Sequence, residues 1–235
     1  MAEKILEIND IYKRKKKKKI LKGVTFEVGE QEIVCLLAPN GSGKTTIIKC
    51  ITGLFKLNNG SISICGHDIK KERNNAYANL GLCMETPSAF GDLSGMDNLK
   101  FIASAKKIPK EQIEEVIDFS GIRHSIDRPV RTYSLGMKMR LGLSMAMLGK
   151  PKLIVLDEPT NGLDVDAVIK IREKLLELKE SGCSILISSH YLGEMEKIAD
   201  RVVALKDGQV IKDITMLEIK NQYGELEKMY KDLYE

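Results

Sequence analysis

The chain has 235 residues, 43% of them hydrophobic and 30% charged, which is typical of a folded protein with one large domain or a core and a subdomain. Its net charge is +4, but the run Lys13–Lys19 contributes seven positive charges and leaves −3 for the remainder, which excludes a nucleic-acid-binding surface spread over the fold. No apolar run approaches the ~20 residues needed to cross a bilayer, and the charged, alternating N-terminus does not resemble a secretion signal.

The cysteines are widely spaced, and none of them forms a C-x-x-C pair: Cys35, Cys50, Cys65, Cys83 and Cys183. An odd number at such spacing predicts reduced thiols rather than a disulfide framework or a zinc site. We interpret these residues as small buried hydrophobic groups.

The first strands follow from alternating polar and apolar residues. Lys4–Asn9 and Lys22–Val28 show the pattern of half-buried antiparallel strands. The basic run Lys13–Lys19 lies between them, and its charge favours a solvated hairpin turn. Contact of this run with anionic lipid or nucleic acid is the alternative, because clusters of like charge often mark such sites.

A buried strand and a helix come next. Residues Glu32–Ala38 read "EIVCLLA", a continuous apolar run of the kind found in buried parallel strands. A glycine-rich loop follows, and then a helix with Ile47, Ile48, Ile51 and Leu54 on one side. The segment "GSISICG" predicts another short strand.

Between about Glu85 and Gly149 the pattern becomes helical, and Pro109 marks the start of one helix. Beyond this stretch, strands and helices alternate again. A strand "KLIVLDEP" precedes a helix that ends at Gly182, and a strand "SILISSH" follows it. A short helix then leads to a hairpin that turns at Asp207-Gly208.

Strands that alternate with helices predict a mainly parallel sheet, and the contiguous helices in the middle predict a subdomain inserted into it. The fold class expected is therefore α/β, with an antiparallel β subdomain and an inserted α-helical subdomain. We predict a single domain over 1–235, with its core in 1–85 and 150–215, the helical subdomain in 86–149 and a helical tail in 216–235.

The segment "APNGSGKT" has a buried strand before it and a helix after it, which predicts the phosphate-binding loop of a P-loop NTPase core. Gly41 and Gly43 let the backbone approach phosphate oxygens closely. In such loops the lysine, here Lys44, bridges the β- and γ-phosphates, and the hydroxyl of Thr45 ligates Mg²⁺. Ala38 stands where glycine is usual, which is tolerable if its φ is negative. The predicted ATP-binding residues of this loop are Ala38, Pro39, Asn40, Gly41, Ser42, Gly43, Lys44, Thr45 and Thr46.

Polar residues also end the two later apolar strands. Asp157 is predicted to hold Mg²⁺ and Glu158 to act as the base that polarises a water against the γ-phosphate, a role worth ~10²–10⁴-fold in rate. A pair of solvated acids is the alternative. His190 is predicted to contact the γ-phosphate, because ligands bind at this edge of open α/β sheets. His67 and His124 lack such a context and are predicted to be surface residues.

Together these residues resemble the ATP-binding subunits of ABC transporters, over about residues 3–215. The segment "YSLGM", Tyr133–Met137, stands where that family has its LSGGQ signature, and "NGLD", Asn161–Asp164, stands where it has the D-loop. The order of P-loop, signature, strand-end Asp-Glu, D-loop and strand-end His is highly specific to this family.

The resemblance implies that each signature loop caps the γ-phosphate held by a second copy of the chain. Two copies would then form an ATP-dependent head-to-tail homodimer. Ser134 and Gly136 keep the hydroxyl and the close backbone approach of the signature, and Asp164 is expected among the ATP-binding residues. Leu135 and Met137 depart from the consensus and remove one polar side chain.

Glu85 stands where most members of the family have glutamine, and the resemblance implies contact with Mg²⁺ and with the attacking water. It is therefore expected to be both catalytic and metal-binding. Glu85, the following Thr86-Pro87 and the segment "YSLGMKMRLGL" resemble the bacitracin-resistance and lantibiotic self-immunity exporters. The alternative is that the chain belongs to some other ABC family and that Glu85 is a chance replacement of the usual glutamine.

The family usually has an aromatic residue shortly before its second strand, and its ring stacks on adenine. Lys15 stands at that position here, and Tyr12 would substitute for the aromatic only if the turn is remodelled. Because such stacking contributes ~1–3 kcal/mol, we expect loose nucleotide discrimination and measurable competition by GTP.

The resemblance thus implies the ATP-hydrolysing subunit of an exporter, which uses ATP and Mg²⁺ and drives a separately encoded integral membrane permease. Such a subunit lies in the cytoplasm, peripheral to the inner face of the cell membrane, and no nucleic-acid partner is expected. The implied cargo is a peptide antibiotic or a similar amphipathic compound. Two alternatives stay open: a soluble ABC ATPase that remodels ribosomes or DNA, and a regulator that binds ATP without hydrolysing it.

Overall fold

The computed structural model describes residues 3–85 and 88–235, so Thr86 and Pro87, which carry part of the resemblance to the antibiotic exporters, lie outside the described residues. Within these ranges the strands form two sheets. The strands are β1 (Lys4–Lys15), β2 (Lys18–Gly29), β3 (Ile33–Leu37), β4 (Asn59–Ile64), β5 (His67–Asp68), β6 (Leu80–Cys83), β7 (Leu153–Asp157), β8 (Ser184–Ser188), β9 (Arg201–Lys206) and β10 (Gln209–Thr215).

The larger sheet has the order β10-β9-β3-β8-β7-β6 and is mainly parallel. β3 pairs in parallel with β8 and β9, and β7 pairs in parallel with β8 and β6, whereas β10 runs antiparallel to β9. Every residue of β3, β7 and β8 is buried, which explains why these strands are continuous apolar runs. The prediction of an α/β fold with a mainly parallel sheet is confirmed.

The smaller sheet is antiparallel, with the order β2-β1-β4-β5. Its basic hairpin turns at Lys16–Lys17, because β1 continues to Lys15 and β2 begins at Lys18. The solvated hairpin turn is confirmed, and the strands are longer than the alternation alone predicts. Ile11 and Leu21 are buried on the inner face of this hairpin, and that burial holds the charged strand ends in place.

The helices are α1 (Lys44–Ile51), α2 (Arg73–Ala78), α3 (Gly95–Lys106), α4 (Glu111–Ser120), α5 (Leu135–Met147), α6 (Val165–Glu180), α7 (Leu192–Ile198), α8 (Met216–Gln222) and α9 (Leu226–Tyr234). Helices α3 to α5 share an apolar cluster of their own that includes Leu99, Ile117 and Leu141. Helix α5 meets the parallel sheet where Gly81 of β6 packs against the backbone of Ala146.

The C-terminal helices pack on the parallel sheet rather than standing free of it. Ile219, Leu226 and Met229 are fully buried in the same apolar cluster as β3 and β7. The hydroxyl of Tyr234 donates hydrogen bonds to the carbonyl oxygens of Leu37 (3.2 Å) and Leu205 (2.9 Å), at the ends of β3 and β9. The tail is therefore fixed beside the loop that follows β3.

None of the helices in the ranges 3–85 and 88–235 is both long enough and apolar enough to cross a membrane.

Candidate active site

The parallel sheet brings the predicted site residues to one edge. Four neighbouring strands, β3, β8, β7 and β6, run in the same direction, so their carboxyl ends lie side by side. The glycine-rich loop follows β3, His190 lies two residues beyond β8, Glu158 directly follows β7, and Glu85 lies two residues beyond β6. Polar residues at adjacent strand ends of an open α/β sheet form the usual place for a ligand.

The glycine-rich loop has the backbone that a phosphate cradle requires. Gly41 and Gly43 have φ angles of 82° and 111°, which only glycine adopts without strain. Ala38 is not among the residues with positive φ, so alanine is tolerated there, as predicted. Helix α1 begins at Lys44, directly after the loop, so its first N–H groups face the same space as the loop.

Lys44 is held inside this loop. Its side chain is only 8% exposed, and Nζ donates to the carbonyl oxygen of Ala38 at 2.5 Å and lies 3.6 Å from Oε1 of Glu158. The ammonium group of Lys44 has three N–H donors. It can therefore exchange its present carbonyl and carboxylate partners for phosphate oxygens.

Glu158 is fixed by its neighbours in an unusual conformation. Its φ of 50° lies in the left-handed region, which costs about 1–3 kcal/mol for a residue other than glycine and is common at functional sites. The backbone N–H of Glu158 donates to the Ser188 carbonyl and hydroxyl oxygens, each at 3.1 Å. Its Oε2 accepts from the backbone N–H of His190 at 3.2 Å and lies 2.8 Å from Nδ1 of that ring.

Asp157 lies deeper than Glu158. It is 3% exposed, and its Oδ1 accepts a hydrogen bond of 2.7 Å from the Ser188 hydroxyl. Ser188 thus ties the two adjacent acidic residues to the neighbouring strand and sets the orientation of both.

A cavity of about 750 Å³ opens over this edge of the sheet. Its lining includes most of the predicted site residues, namely Ala38, Pro39, Asn40, Gly41, Gly43, Lys44, Thr45, Thr46, Glu85, Glu158 and His190. It also includes Lys13, Arg14 and Lys15 of the basic run and Asn161 of the D-loop segment, which were noted in the sequence but not predicted as site residues. Four further lining residues had no sequence signal, namely Ile20, Lys49, Phe55 and Tyr230. Phe55 and Tyr230 reach the cavity through tertiary packing.

Two loops meet at the rim of this cavity. The Nδ2 atom of Asn161 donates a hydrogen bond to Oε1 of Glu85. This bond joins the segment after β6 to the segment after β7, so that Glu85 is oriented by a residue of the D-loop. Asp164, by contrast, does not line the cavity and caps α6, where its Oδ1 accepts from the Ala167 N–H at 2.8 Å.

The signature residues lie elsewhere. Ser134 caps helix α5, with its hydroxyl accepting from the Met137 N–H at 3.2 Å, and neither Ser134 nor Gly136 lines the cavity formed by their own chain. Ser134 is exposed, and the Leu135 side chain is 43% exposed. The structure therefore holds a second helix N-terminus that is open to solvent and separate from the first.

A family model described as ABC transporter matches residues 21–161. The chain belongs to the ABC transporter family. It is 42% identical to the uncharacterized ABC transporter ATP-binding protein YdbJ of Bacillus subtilis, over 92% of this chain and 71% of that protein. It is 35% identical to the lantibiotic transport ATP-binding protein SrtF of Streptococcus pyogenes, over 88% of this chain and 89% of that protein.

The bacitracin transport ATP-binding protein BcrA of Bacillus licheniformis is 34% identical, over 93% of this chain and 72% of that protein. Among solved structures, an ATP-binding subunit of an ABC transporter superposes with a TM-score of 0.90 at 30% identity, covering 98% of this chain and all of that one. These matches confirm the predicted family and fold, and the chain is an ATP-binding ABC subunit with ATPase activity. ATP-binding subunits of ABC transporters work with membrane permeases.

Proposed function

We propose that this ABC subunit hydrolyses ATP at the edge formed by β3, β8, β7 and β6, and that the free energy drives export of a peptide antibiotic or a similar amphipathic compound. The observation that carries the catalytic part is the contact chain Lys44–Glu158–His190 at the floor of the cavity. The cargo class is supported by similarity to proteins named for lantibiotic and bacitracin transport.

The contact chain gives Lys44 and Glu158 different roles during hydrolysis. Lys44 gives up its present partners to neutralise the β- and γ-phosphates. Glu158 keeps its hydrogen bond to Nδ1 of His190 and takes the proton from a water, whose oxygen then bonds to the γ-phosphorus. The bond from that phosphorus to the oxygen bridging it to the β-phosphate breaks, and ADP and phosphate result.

The residues present fit a Mg²⁺ ion that arrives with the nucleotide. Thr45, Asp157 and Glu85 offer oxygen ligands, which Mg²⁺ prefers. Among the described residues, no cluster of three or more His, Cys, Asp or Glu side chains is placed to hold a metal. A site of few protein ligands suits Mg²⁺, which usually binds one or two carboxylates together with substrate phosphates. When bound, the ion would offset negative charge on the phosphate oxygens.

We also propose that the active form is a head-to-tail dimer. Ser134 and Gly136 stand apart from the cavity of their own chain, although their exposed helix N-terminus is suited to an anion. In the dimer this helix end faces the γ-phosphate held by the second copy. Asp164 belongs to the same contact through the D-loop rather than to the nucleotide of its own chain.

A second, largely apolar groove is our candidate for the permease contact. It has a volume of about 360 Å³ and lies between β6 and the helices α3 and α5. Leu82, Met84, Ile102 and Met145 line it together with Lys106, whose pKa is lowered by burial. Such a groove suits an amphipathic helix of a cytoplasmic permease loop.

Phosphate release tests the catalytic proposal and separates it from the alternative of a non-catalytic regulator. The wild-type chain should release phosphate from Mg-ATP, whereas Lys44→Ala and Glu158→Gln should not. Absence of release from the wild-type chain together with its permease would favour the regulator.

Co-purification tests the partner. The chain extracted from membranes should carry an integral membrane permease, and Ile102→Asp should abolish this association while ATP binding persists. Leu217→Asp, at a side chain 70% exposed and far along the sequence from the groove, is the matched control. Recovery with ribosomes or DNA instead would favour the soluble remodelling ATPase.

A further inference from the structure

Aromatic rings are scarce around the cavity. Lys15, at the position where the family has its stacking aromatic, lines the cavity, but Tyr12 does not. The Tyr12 hydroxyl instead lies against Gly23, where a Cβ would come within 2.9 Å of it. Phe55 and Tyr230 are the aromatic residues among the described lining.

The cavity extends from the phosphate loop along one face of helix α1. Thr46 and Lys49 both line it and are three residues apart, so they share a helix face. Phe55 lies beyond Lys49, since its backbone N–H donates to the Lys49 carbonyl oxygen at 2.8 Å. A nucleotide whose β- and γ-phosphates lie at Lys44 and whose α-phosphate lies at Thr46 therefore has its nucleoside directed towards Phe55.

Phe55 is held in place from several directions. Lys13 Nζ donates to the Lys56 carbonyl oxygen at 2.6 Å, and the Arg14 N–H donates to Asn58 Oδ1 at 2.7 Å, so the segment after α1 is fastened to the basic hairpin. The ammonium groups of Lys13 and Lys49 lie over the Phe55 ring, 5.2 and 5.6 Å from its centre, and a base that stacks on the ring takes their place on its face. The ring is thus partly buried against the core, and it already attracts cations to its face.

We propose that Phe55 is the platform on which the nucleobase stacks, in place of the aromatic residue that this chain lacks at Lys15. This inference rests on the proposed nucleotide site and adds its base-recognising residue. Lys13 and Lys49 offer only hydrogen-bond donors, and guanine presents two acceptors, O6 and N7, on the edge where adenine presents one acceptor and a donor. The platform therefore accepts GTP at least as readily as ATP.

Phe55→Trp gives a direct test, because the chain contains no tryptophan. ATP and GTP should each change the fluorescence of the single indole, whereas inorganic tripolyphosphate, which fills the phosphate loop without a base, should leave it unchanged. Leu54→Trp, at a neighbouring side chain that is 64% exposed and outside the cavity, is the control that should respond to none of them. An equal response to tripolyphosphate and ATP would show loop movement instead of stacking and would overturn the proposal.

Affinity provides the second arm. Phe55→Ala should weaken ATP binding by about 5- to 150-fold, the range expected for one base stacked on an aromatic ring, and should leave the affinity for tripolyphosphate unchanged. Equal losses for both ligands, or a larger loss of ATP affinity in Tyr230→Ala than in Phe55→Ala, would contradict the assignment. So would a preference for ATP over GTP of about a hundredfold or more, given donor-only neighbours. If wild-type protein binds neither ATP nor tripolyphosphate, the nucleotide site itself is wrong.

Discussion

At the scale of single residues, Glu158 shows how this site is assembled. A left-handed backbone turns its carboxylate from the end of β7 towards Lys44 and His190, and Ser188 on the neighbouring strand holds the turn in place. The position of the carboxylate is thus set by the sheet, while its environment is set by two side chains from different strand ends.

His190→Ala should slow hydrolysis more than it weakens nucleotide binding. The substitution removes the ring that fixes Oε2 of Glu158, while the contact of Oε1 with Lys44 remains. We expect kcat for phosphate release to fall ~10²-fold or more, the typical contribution of a positioned acid–base pair, with a small change in KM. His124→Ala, at an exposed histidine, should behave as wild type. A raised KM for ATP together with an unchanged kcat would contradict this role.

The buried thiols predict a loss of stability at alkaline pH. Burial raises the pKa of Cys35, Cys83 and Cys183 to about 12, whereas the ordinary value is 9.0. Between these values the unfolded chain releases protons that the folded chain retains, so the free energy of unfolding should fall as pH rises, by up to about 1.4 kcal/mol per pH unit for each thiol.

Urea denaturation at a series of pH values measures this slope. Cys183→Ala should flatten it, although the substitution also changes stability at neutral pH. A slope identical in the variant and the wild type would mean that this thiol ionises in the folded chain.

A thiol reagent at pH 7 should label the partly exposed Cys65 first and the four buried thiols only after unfolding.

The phosphate-binding loop, the Asp157-Glu158 pair and His190 could be predicted from the sequence because each lies at the end of a recognisable apolar strand. The spacing of the glycines, the adjacent acidic residues and the strand-end histidine are visible directly in the sequence. Glu85, Ser134, Gly136 and Asp164 followed only from the resemblance to the ABC family. Phe55 and Tyr230 could not be found in this way. The first reaches the cavity through hydrogen bonds between distant segments, and the second through the packing of α9, neither of which leaves a local pattern.

At the scale of secondary-structure elements, the approach of α5 to β6 decides how the helical region sits on the sheet. A Cβ at Gly81 would overlap the carbonyl oxygen of Ala146, so the strand and the helix touch backbone to backbone. Since the φ of Gly81 is not positive, the requirement for glycine comes from close contact and not from conformation.

Gly81→Ala should therefore destabilise the protein by about 1–3 kcal/mol, the usual cost of overpacking. Gly193→Ala in α7 is a matched control, because a Cβ there meets nothing within 4 Å and its φ is not positive. That substitution should be neutral or stabilise by about 0.5–1 kcal/mol. Chemical denaturation of the pair measures both effects, and equal stabilities would refute the contact.

The elements that the sequence predicted well are those with long periodic or apolar runs, such as β3, β7, β8 and α6. Helix α2 and strands β5 and β6 escaped prediction because they are short, and "LGLC" in β6 includes a glycine. The ends of β1 and β2 were also missed, since a strand inside a run of lysines is set by its partner strand rather than by its own residues.

At the scale of the whole molecule, the chain carries two helix N-termini that do not face the same cavity. The phosphate loop and Glu158 line one cavity, and Ser134 caps a helix outside it. Leu135 packs near Gly162 of the D-loop segment in the same chain, so the signature helix and the D-loop form a common surface. A second copy would present that surface to the open cavity of the first.

The mass of the Glu158→Gln variant in Mg-ATP, measured by size-exclusion chromatography with light scattering, tests this account most directly. Without the base, ATP persists, and we predict a dimer of twice the 26.3 kDa chain mass. Adding Ser134→Asp keeps the helix cap but places a negative charge against the neighbour's γ-phosphate, so it should restore the monomer. The control is Ser134→Asn, which has the shape of aspartate without its charge and should leave the dimer intact. A Glu158→Gln chain that stays monomeric at saturating Mg-ATP, or a dimer indifferent to Ser134→Asp, would contradict the shared site.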